Sequence, residues 1–487
     1  MSMTDRFLAK LQALMLCLRH GSAAAAVLFP VLAMSLSAAL PAAAQDVQFS
    51  GDVEMLLGQA FPYTEEPWNT VAALLKANGA LDVFANEYTV HLSGGLVLDA
   101  LHSQSTDDKL ALTDDDGYVL ARIKEAYLDY NGDQWSVRAG RQISAWGKAD
   151  GLTVTDILCP KDMSSLFASD YSDSSLGIDA LHVSLNLTSF VCDAYWIPTF
   201  TPNTLPLAKG NPLRKILLPS SVSANGYTLD IRLGELEKPE PSLKNMEYAI
   251  KAAAYLPFAD FSVYGFYGWD DTPVMNYTLL YLDRDGNSLD LSNPMNYLRI
   301  AGYGLKVGGE YKQMGMIGAD AAIPAGPVTL RLEGAFFPMR HFATTAESQL
   351  TAMLQGKRAK TSVQRNQLTA LAGIDWMPGG WTVTAQYYLD IVFGDLGLVD
   401  REQAFQHKTT LSVSRSFFGG NLEVSLQGLL GLNDFDSAIM PSVKYALSDQ
   451  ISLSLGGNFF IPGPDRDGEY GAYKDLSCLT FSGKFSF

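Results

Sequence analysis

Hydrophobic and polar residues alternate with a period of two in many segments of this chain. In 381–391, Trp381, Val383, Ala385, Tyr387, Leu389 and Ile391 fall on one face, and Thr382, Thr384, Gln386, Tyr388 and Asp390 on the other. The same pattern recurs in 421–430, 451–459, 328–336 and 181–187. A period of two is strand spacing, and stretches of about 9–11 residues match a tilted strand that crosses a bilayer. Counting back from the last segment gives sixteen such strands: 475–487, 450–462, 437–448, 420–433, 405–418, 381–394, 367–378, 328–339, 311–325, 259–269, 246–257, 189–199, 177–188, 134–146, 117–131 and 84–101. Segment 47–60 reads as a seventeenth. Bacterial barrels hold even numbers of strands, so the expectation is sixteen, or eighteen if 47–60 finds a partner. Residues 62–83 read as a partly helical connection.

The joints decide between a soluble sandwich and a barrel. Short turns such as Asn131-Gly132-Asp133, Ala325-Gly326-Pro327, Pro378-Gly379-Gly380 and Gly419-Gly420-Asn421 alternate with long connections at 147–176, 200–245, 270–310, 340–366, 395–404 and 463–474. Tight turns at one end and long loops at the other are the layout of a transmembrane antiparallel β-barrel. The fold class is therefore all-β, with residues 45–487 as a single barrel. Aromatic residues group beside the turns, as barrel girdles do.

Residues 1–44 read as an export signal: Arg6, Lys10 and Arg19 precede the apolar run 23–40, and small residues stand at Ala42 and Ala44. The full chain carries 35 Lys+Arg against 52 Asp+Glu, a net charge of −17. Removing 1–44 takes away three bases and one acid, leaving −19. This acidity argues against a nucleic-acid partner, and the sparse charge (18%) and many aromatics argue against disorder. The last residues, Leu479 to Phe487, place Phe481, Phe485 and Phe487 on one apolar dyad. This resembles the membrane-insertion signal read by the barrel-assembly machinery of Gram-negative-type envelopes.

Residues 122–162 contain Glu125-Ala-Tyr-Leu-Asp129 on one strand, Gly140-Arg-Gln142 on the next, and Trp146-Gly147 opening a long loop that ends Pro160-Lys-Asp162. This pattern resembles a family of porin-like outer-membrane barrels of largely unassigned function. The resemblance implies a channel in the outer membrane for passive or substrate-selective passage of small-molecule solutes, with outer-membrane lipid around it and no catalysis. A homotrimer is one oligomeric arrangement open to such a barrel. The alternative is a surface barrel acting as an adhesin through loops 200–245 and 270–310.

Residues opposite the apolar dyads face the lumen. The expected pore-lining set is Glu125, Asp129, Arg138, Arg141, Arg331, Glu333, Asp375, Gln386, Asp390, Glu423, Lys444 and Lys484. Arg141 falls on the lipid side of a regular strand, so a β-bulge at Gly140 is expected to turn it inward. Loop 147–176, with Asp150, Asp156, Lys161 and Asp162, is expected to fold into the lumen and constrict it, the other reading being an ordinary surface loop. Facing acids and bases either set a field across the opening or pair to fill a plugged lumen. The scattered His and Cys show no metal-ligand spacing, no G-x-S-x-G or phosphate loop occurs, and no cofactor is expected. Cys159, Cys192 and Cys478 are expected to be unpaired thiols.

Overall fold

The computed structural model describes residues 46–487 apart from 65–68, 105, 107, 150–151, 166–173, 219, 225–226 and 356. Residues 1–44, where the export signal is expected, and Asp150 lie outside the described residues. The strands are β1 (Asp46–Ala60), β2 (Thr70–Ala85), β3 (Tyr88–Asp99), β4 (Ala111–Thr113), β5 (Val119–Asn131), β6 (Trp135–Gln142), β7 (Ile178–Asn186), β8 (Phe190–Ile197), β9 (Ser221–Ala224), β10 (Tyr227–Glu237), β11 (Glu247–Leu256) and β12 (Ala259–Trp269). They continue as β13 (Val274–Leu282), β14 (Gly302–Glu310), β15 (Gln313–Ala325), β16 (Val328–Ala343), β17 (Ser362–Trp376), β18 (Trp381–Val392), β19 (Phe405–Phe417), β20 (Leu422–Gly431), β21 (Ser437–Ala446), β22 (Ile451–Ile461) and β23 (Cys478–Ser486).

Eighteen of these form a closed antiparallel barrel. Neighbours pair in chain order from β1 to β3, then β5 to β8, β11, β12 and β15 to β23. Pairing of β1 with β23, from Asp52 opposite Ser486 to Ala60 opposite Cys478, closes the ring. Closure leaves no sheet edge unpaired, the condition a strand must meet in lipid. Among the described residues no helix is long and apolar enough to cross a membrane. Large apolar side chains such as Ile317, Leu332, Ile374, Leu411, Val443 and Leu455 stand exposed on the outer face. Their chain neighbours point inward and are mostly polar or small, Met316 being an apolar exception that packs in the inner wall.

All sixteen expected strands are present. The count is eighteen because 47–60 is β1 and its missing partner is β2. The helical expectation for 62–83 is corrected here: Thr70–Ala85 is a strand, in register with β1 from Asp46–Phe84 to Gln59–Thr70 and with β3 from Leu74–Asp99 to Ala85–Tyr88. Ala, Leu and Lys in this stretch favour helix locally, but two complete ladders outweigh a propensity worth tenths of a kcal/mol per residue.

The turns lie as expected. Gly379 and Gly380 (φ 56° and 83°) close the β17–β18 hairpin in a conformation that costs other residues strain. At the opposite end, the two longest connections build a second sheet ordered β13-β14-β10-β9, in which β10 and β14 pair in parallel. Helix Ala346–Leu354, capped by Thr345, packs beneath this sheet, with Gln349 accepting from Tyr277 N at 3.1 Å and donating to Met275 O at 3.2 Å.

Candidate functional site: a loop laid inside the barrel

The connection from β6 to β7 does not stay at the rim. It enters the barrel and binds the inner face of strands far round the wall. Its anchor is Glu333 on β16, six strands round from β6. One Glu333 oxygen accepts from Lys148 N (2.6 Å) and Ala149 N (2.8 Å). The other accepts from Val154 N (3.0 Å), Thr155 N (3.4 Å) and Thr155 Oγ1 (3.3 Å). The loop's converging backbone N–H groups form a nest, and the buried Glu333 carboxylate is the anion they hold. Gly147 (φ 89°) is needed at this point, since a Cβ there would lie 2.6 Å from a Glu333 oxygen.

Neighbouring groups complete the anchor. Arg331 pairs with Asp375 and also donates to Lys148 O. Thr384 Oγ1 donates to Asp375 at 2.9 Å. Gln386, eight strands from β6, accepts from Thr410 Oγ1 (3.1 Å) and Leu152 N (3.4 Å). Lys148 Nζ stands 3.8 Å from Asp260, which lies one residue into β12 at the short-turn end. The loop therefore reaches deep into the barrel, towards that end.

Inside the loop, Asp156 accepts from Trp146 N at 2.9 Å and pairs with Lys161 at 2.8 Å. Asp162 pairs with Arg122 of β5 at 2.8 Å. Trp146, Leu158 and Cys159 pack with Tyr195, Ile197, Tyr264 and Met316 of the wall. This apolar seam explains why the loop is held along its length as well as at its tip. Burial pushes the Cys159 thiol up to about 12. Cys159, Cys192 and Cys478 are free. Cys192 is exposed on the outer face, on the other side of the wall from Cys159.

A second cluster sits on β2 to β6 near the short turns. Asp129 and Arg138 face one another in register and pair at 2.8 Å. The Arg138 guanidinium lies 4.1 Å above the Tyr127 ring, and His91 stacks on the ring at 4.9 Å. His91 Nδ1 lies 2.7 Å from Asp82 and Nε2 3.6 Å from Glu125. Glu125 in turn accepts from Ile143 N, at the root of the loop, at 2.9 Å.

Arg141 is buried and turned inward, but no bulge lies at Gly140, where one is expected. β6 pairs with β5 and β7 through Gly140 with no register shift. The face changes because Gly140 takes φ 128°, where an added Cβ would lie 2.3 Å from Ala126 O. The ladder irregularity lies one strand over: Ser93 opposes Glu125 and Gly94 opposes Ile123, so Lys124 is the extra residue. Arg141 then pairs with buried Asp108 and stands 3.8 Å from Asp179. Asp390 binds Arg401 (2.9 Å) and Gln367 (2.8 Å).

Three expected residues stand apart from these clusters. Glu423 and Lys444 oppose each other across β20 and β21, and Lys484 on β23 lies 3.4 Å from Asp52. Phe481, Phe485 and Phe487 are exposed on the outer face, with Phe487 5.7 Å from Phe49. Among the described residues no three His, Cys, Asp or Glu side chains gather as a metal site. The loop fragment Asp283–Asn287 closes on itself, Asp283 accepting from Asp285 N (3.0 Å) and Asn287 N (2.8 Å). Sequence reading missed Lys148, Arg122, Asp108 and His91. Lys148 carried a signal, following the Trp-Gly pair directly; the others are set by contacts between distant segments.

No family model and no curated protein matches the sequence. Among solved structures, the chain is similar to Pseudomonas aeruginosa OccK8 (OprE), with 9% identity and a TM-score of 0.48 over 92% of this chain and 99% of that one. It is similar at 9% identity and TM-score 0.47 to Pseudomonas aeruginosa OpdK with vanillate, over 91% and 99% of the two chains. A BenF-like porin from Pseudomonas fluorescens Pf-5 gives 9% and 0.47 over the same shares. The fold stands on this chain's own strand register.

Proposed function

We propose that this chain is an outer-membrane channel for passive or substrate-selective passage of small polar molecules, with the Ala145–Asp162 stretch as its constriction. The observation that carries the reading is a closed eighteen-strand barrel whose inner face is polar and whose long loop is tied by Glu333 to the far wall. A barrel built only as a scaffold has no need of a polar interior or a loop tied across it. The lumen-lining residues are Glu125, Asp129, Arg138, Arg141, Arg331, Glu333, Asp375, Gln386, Asp390, Glu423, Lys444 and Lys484, with Asp156, Lys161 and Asp162 on the loop. Most of these charges hold the loop and one another, so they shape the opening more than they charge it. Phe481, Phe485 and Phe487, set on the lipid face of the closing strand, serve as the insertion signal. Liposomes carrying the refolded chain, challenged with neutral sugars of graded size, test the reading. Swelling that falls off with sugar size supports it, and swelling equal to empty liposomes at every size refutes it.

A second reading draws on the outer sheet. Met295, Tyr297 and Leu298 stand 67%, 58% and 84% exposed on the connection between β13 and β14. Such an apolar tip suits contact with another surface and is separable from conduction.

A further inference from the structure

The loop divides the inner face of the barrel into two unlike halves. Five inward acids on β8 to β18 are covered: Asp193 is 8% exposed, Asp320 5%, Glu333 5%, Asp375 6% and Asp390 8%, while Asp260 at the short-turn end is more open and stands beside Lys148. The other half, β20 to β23 with the start of β1, is open. Its inward positions hold Ser425, Gln427, Ser442, Ser452, Ser454 and Ser482, all partly accessible. Four charged side chains share that wall. Glu423 and Lys444 are exposed, while the side chains of Lys484 and Asp52 are 32% and 20% exposed. Lys444 stands between outward Val443 and Tyr445, so it points inward, facing Ser454 and Glu423 in register. It makes no ion pair among the described residues, whereas Lys484 is joined to Asp52 at 3.4 Å.

We propose that Lys444, opposed by Glu423, sets the charge selectivity of the passage, and that the buried charges of the covered half do not. The inference rests on the channel reading. A permeating ion feels a charge through the medium between them. Charges behind the loop are closed off by their own partners, such as Asp375 by Arg331 and Asp390 by Arg401, while a lysine facing water on the open wall acts on every ion that passes. The open wall carries two positive and two negative groups and is balanced, despite the chain's net charge of −17. Removing either member of the Glu423–Lys444 pair therefore tips it, in opposite directions. Lys444→Gln makes the passage prefer cations, and Glu423→Gln makes it prefer anions.

The test is the reversal potential across a planar bilayer under a salt gradient. One unit charge acting on an ion about 7 Å away in water changes its local concentration by about threefold, in opposite directions for cations and anions, so the cation-to-anion permeability ratio should rise by about sevenfold in Lys444→Gln and fall by about sevenfold in Glu423→Gln. Asp320→Asn, behind the loop, should leave the ratio unchanged. In a Cys192→Ser background, Lys444→Cys should also become cation-preferring and regain the wild-type ratio once a positively charged thiol reagent is attached. Both substitutions lie at exposed positions away from the apolar seam, and a measured current itself reports a folded barrel. Current with an unchanged ratio in Lys444→Gln, or a shift in Asp320→Asn of the same size, overturns this assignment alone. A wild-type chain that passes no current removes the channel reading and this assignment with it.

Discussion

Glu333→Ala should release the loop from the wall. The carboxylate takes three short hydrogen bonds from backbone N–H groups, at 2.6, 2.8 and 3.0 Å, and two longer contacts from Thr155. Hydrogen bonds to a charged group contribute about 1.5–3 kcal/mol each. Taken at the lower figure because the lumen is wet, and counting only the short three, the loop loses about 4–5 kcal/mol of docking energy. That shifts the balance between docked and released loop by roughly a thousandfold. Arg331 to Lys148 O and Leu152 N to Gln386 remain, so the released tip should fluctuate instead of leaving the barrel. The ladder of β16 with β15 and β17 does not use the side chain, so the barrel itself stays folded. Single-channel recording should then show larger conductance and greater open-channel noise, and protease added from the loop side should cut within 147–162. Glu333→Gln should act in the same direction, because its amide NH₂ would face backbone donors. Wild-type conductance, noise and protease resistance in both variants would refute the anchoring argument.

Other perturbations follow from the same contacts. Arg141→Ala leaves Asp108 buried with Leu110 N donating at 3.0 Å and the Arg122 guanidinium at 3.9 Å, and should lower the stability of the folded barrel by about 3–5 kcal/mol in denaturant melts. Gly140→Ala meets both a forbidden φ and the Ala126 carbonyl, so the yield of refolded barrel, read by its heat-modifiable gel mobility, should fall sharply. Cys159, raised by burial from its ordinary 9.0 to about 12, should resist alkylation at pH 8 in the folded barrel and react once unfolding exposes it. Because its pKa is higher in the folded chain, the thiol's contribution to loop docking is complete below pH 9 and is lost as pH rises towards 12, visible as a reversible alkaline increase in open-channel noise.

Much of the barrel was legible because membrane strands repeat one simple rule sixteen times over. The exceptions show where that rule fades. β2 carries Ala and Leu on both faces, Lys76 and Gly79 in its middle, so nothing local separates it from a helix; its identity comes from β1 and β3 on either side. β1 could not be placed without it. Alternation assigned the inward side chains, and for Arg141 it called for a bulge at Gly140, where the strand instead has a backbone conformation (φ 128°) and no extra residue. The site was less legible. Glu333 reads in sequence as one more lumen acid on β16. That it holds four backbone N–H groups of a segment 178 to 185 residues away depends on closure of the whole ring, which no local pattern carries. The same closure separates Glu423, Lys444 and Lys484 on the open wall from Asp375 and Asp390 behind the loop, although all five looked alike as charged residues opposite an apolar dyad.

A channel must conduct. The most direct measurement is the current through the refolded chain in a planar lipid bilayer under applied voltage. Discrete, repeated steps of uniform size that grow in Glu333→Ala are the predicted result. A bilayer that stays at its bare leak current after insertion of correctly folded, heat-modifiable barrel would contradict it.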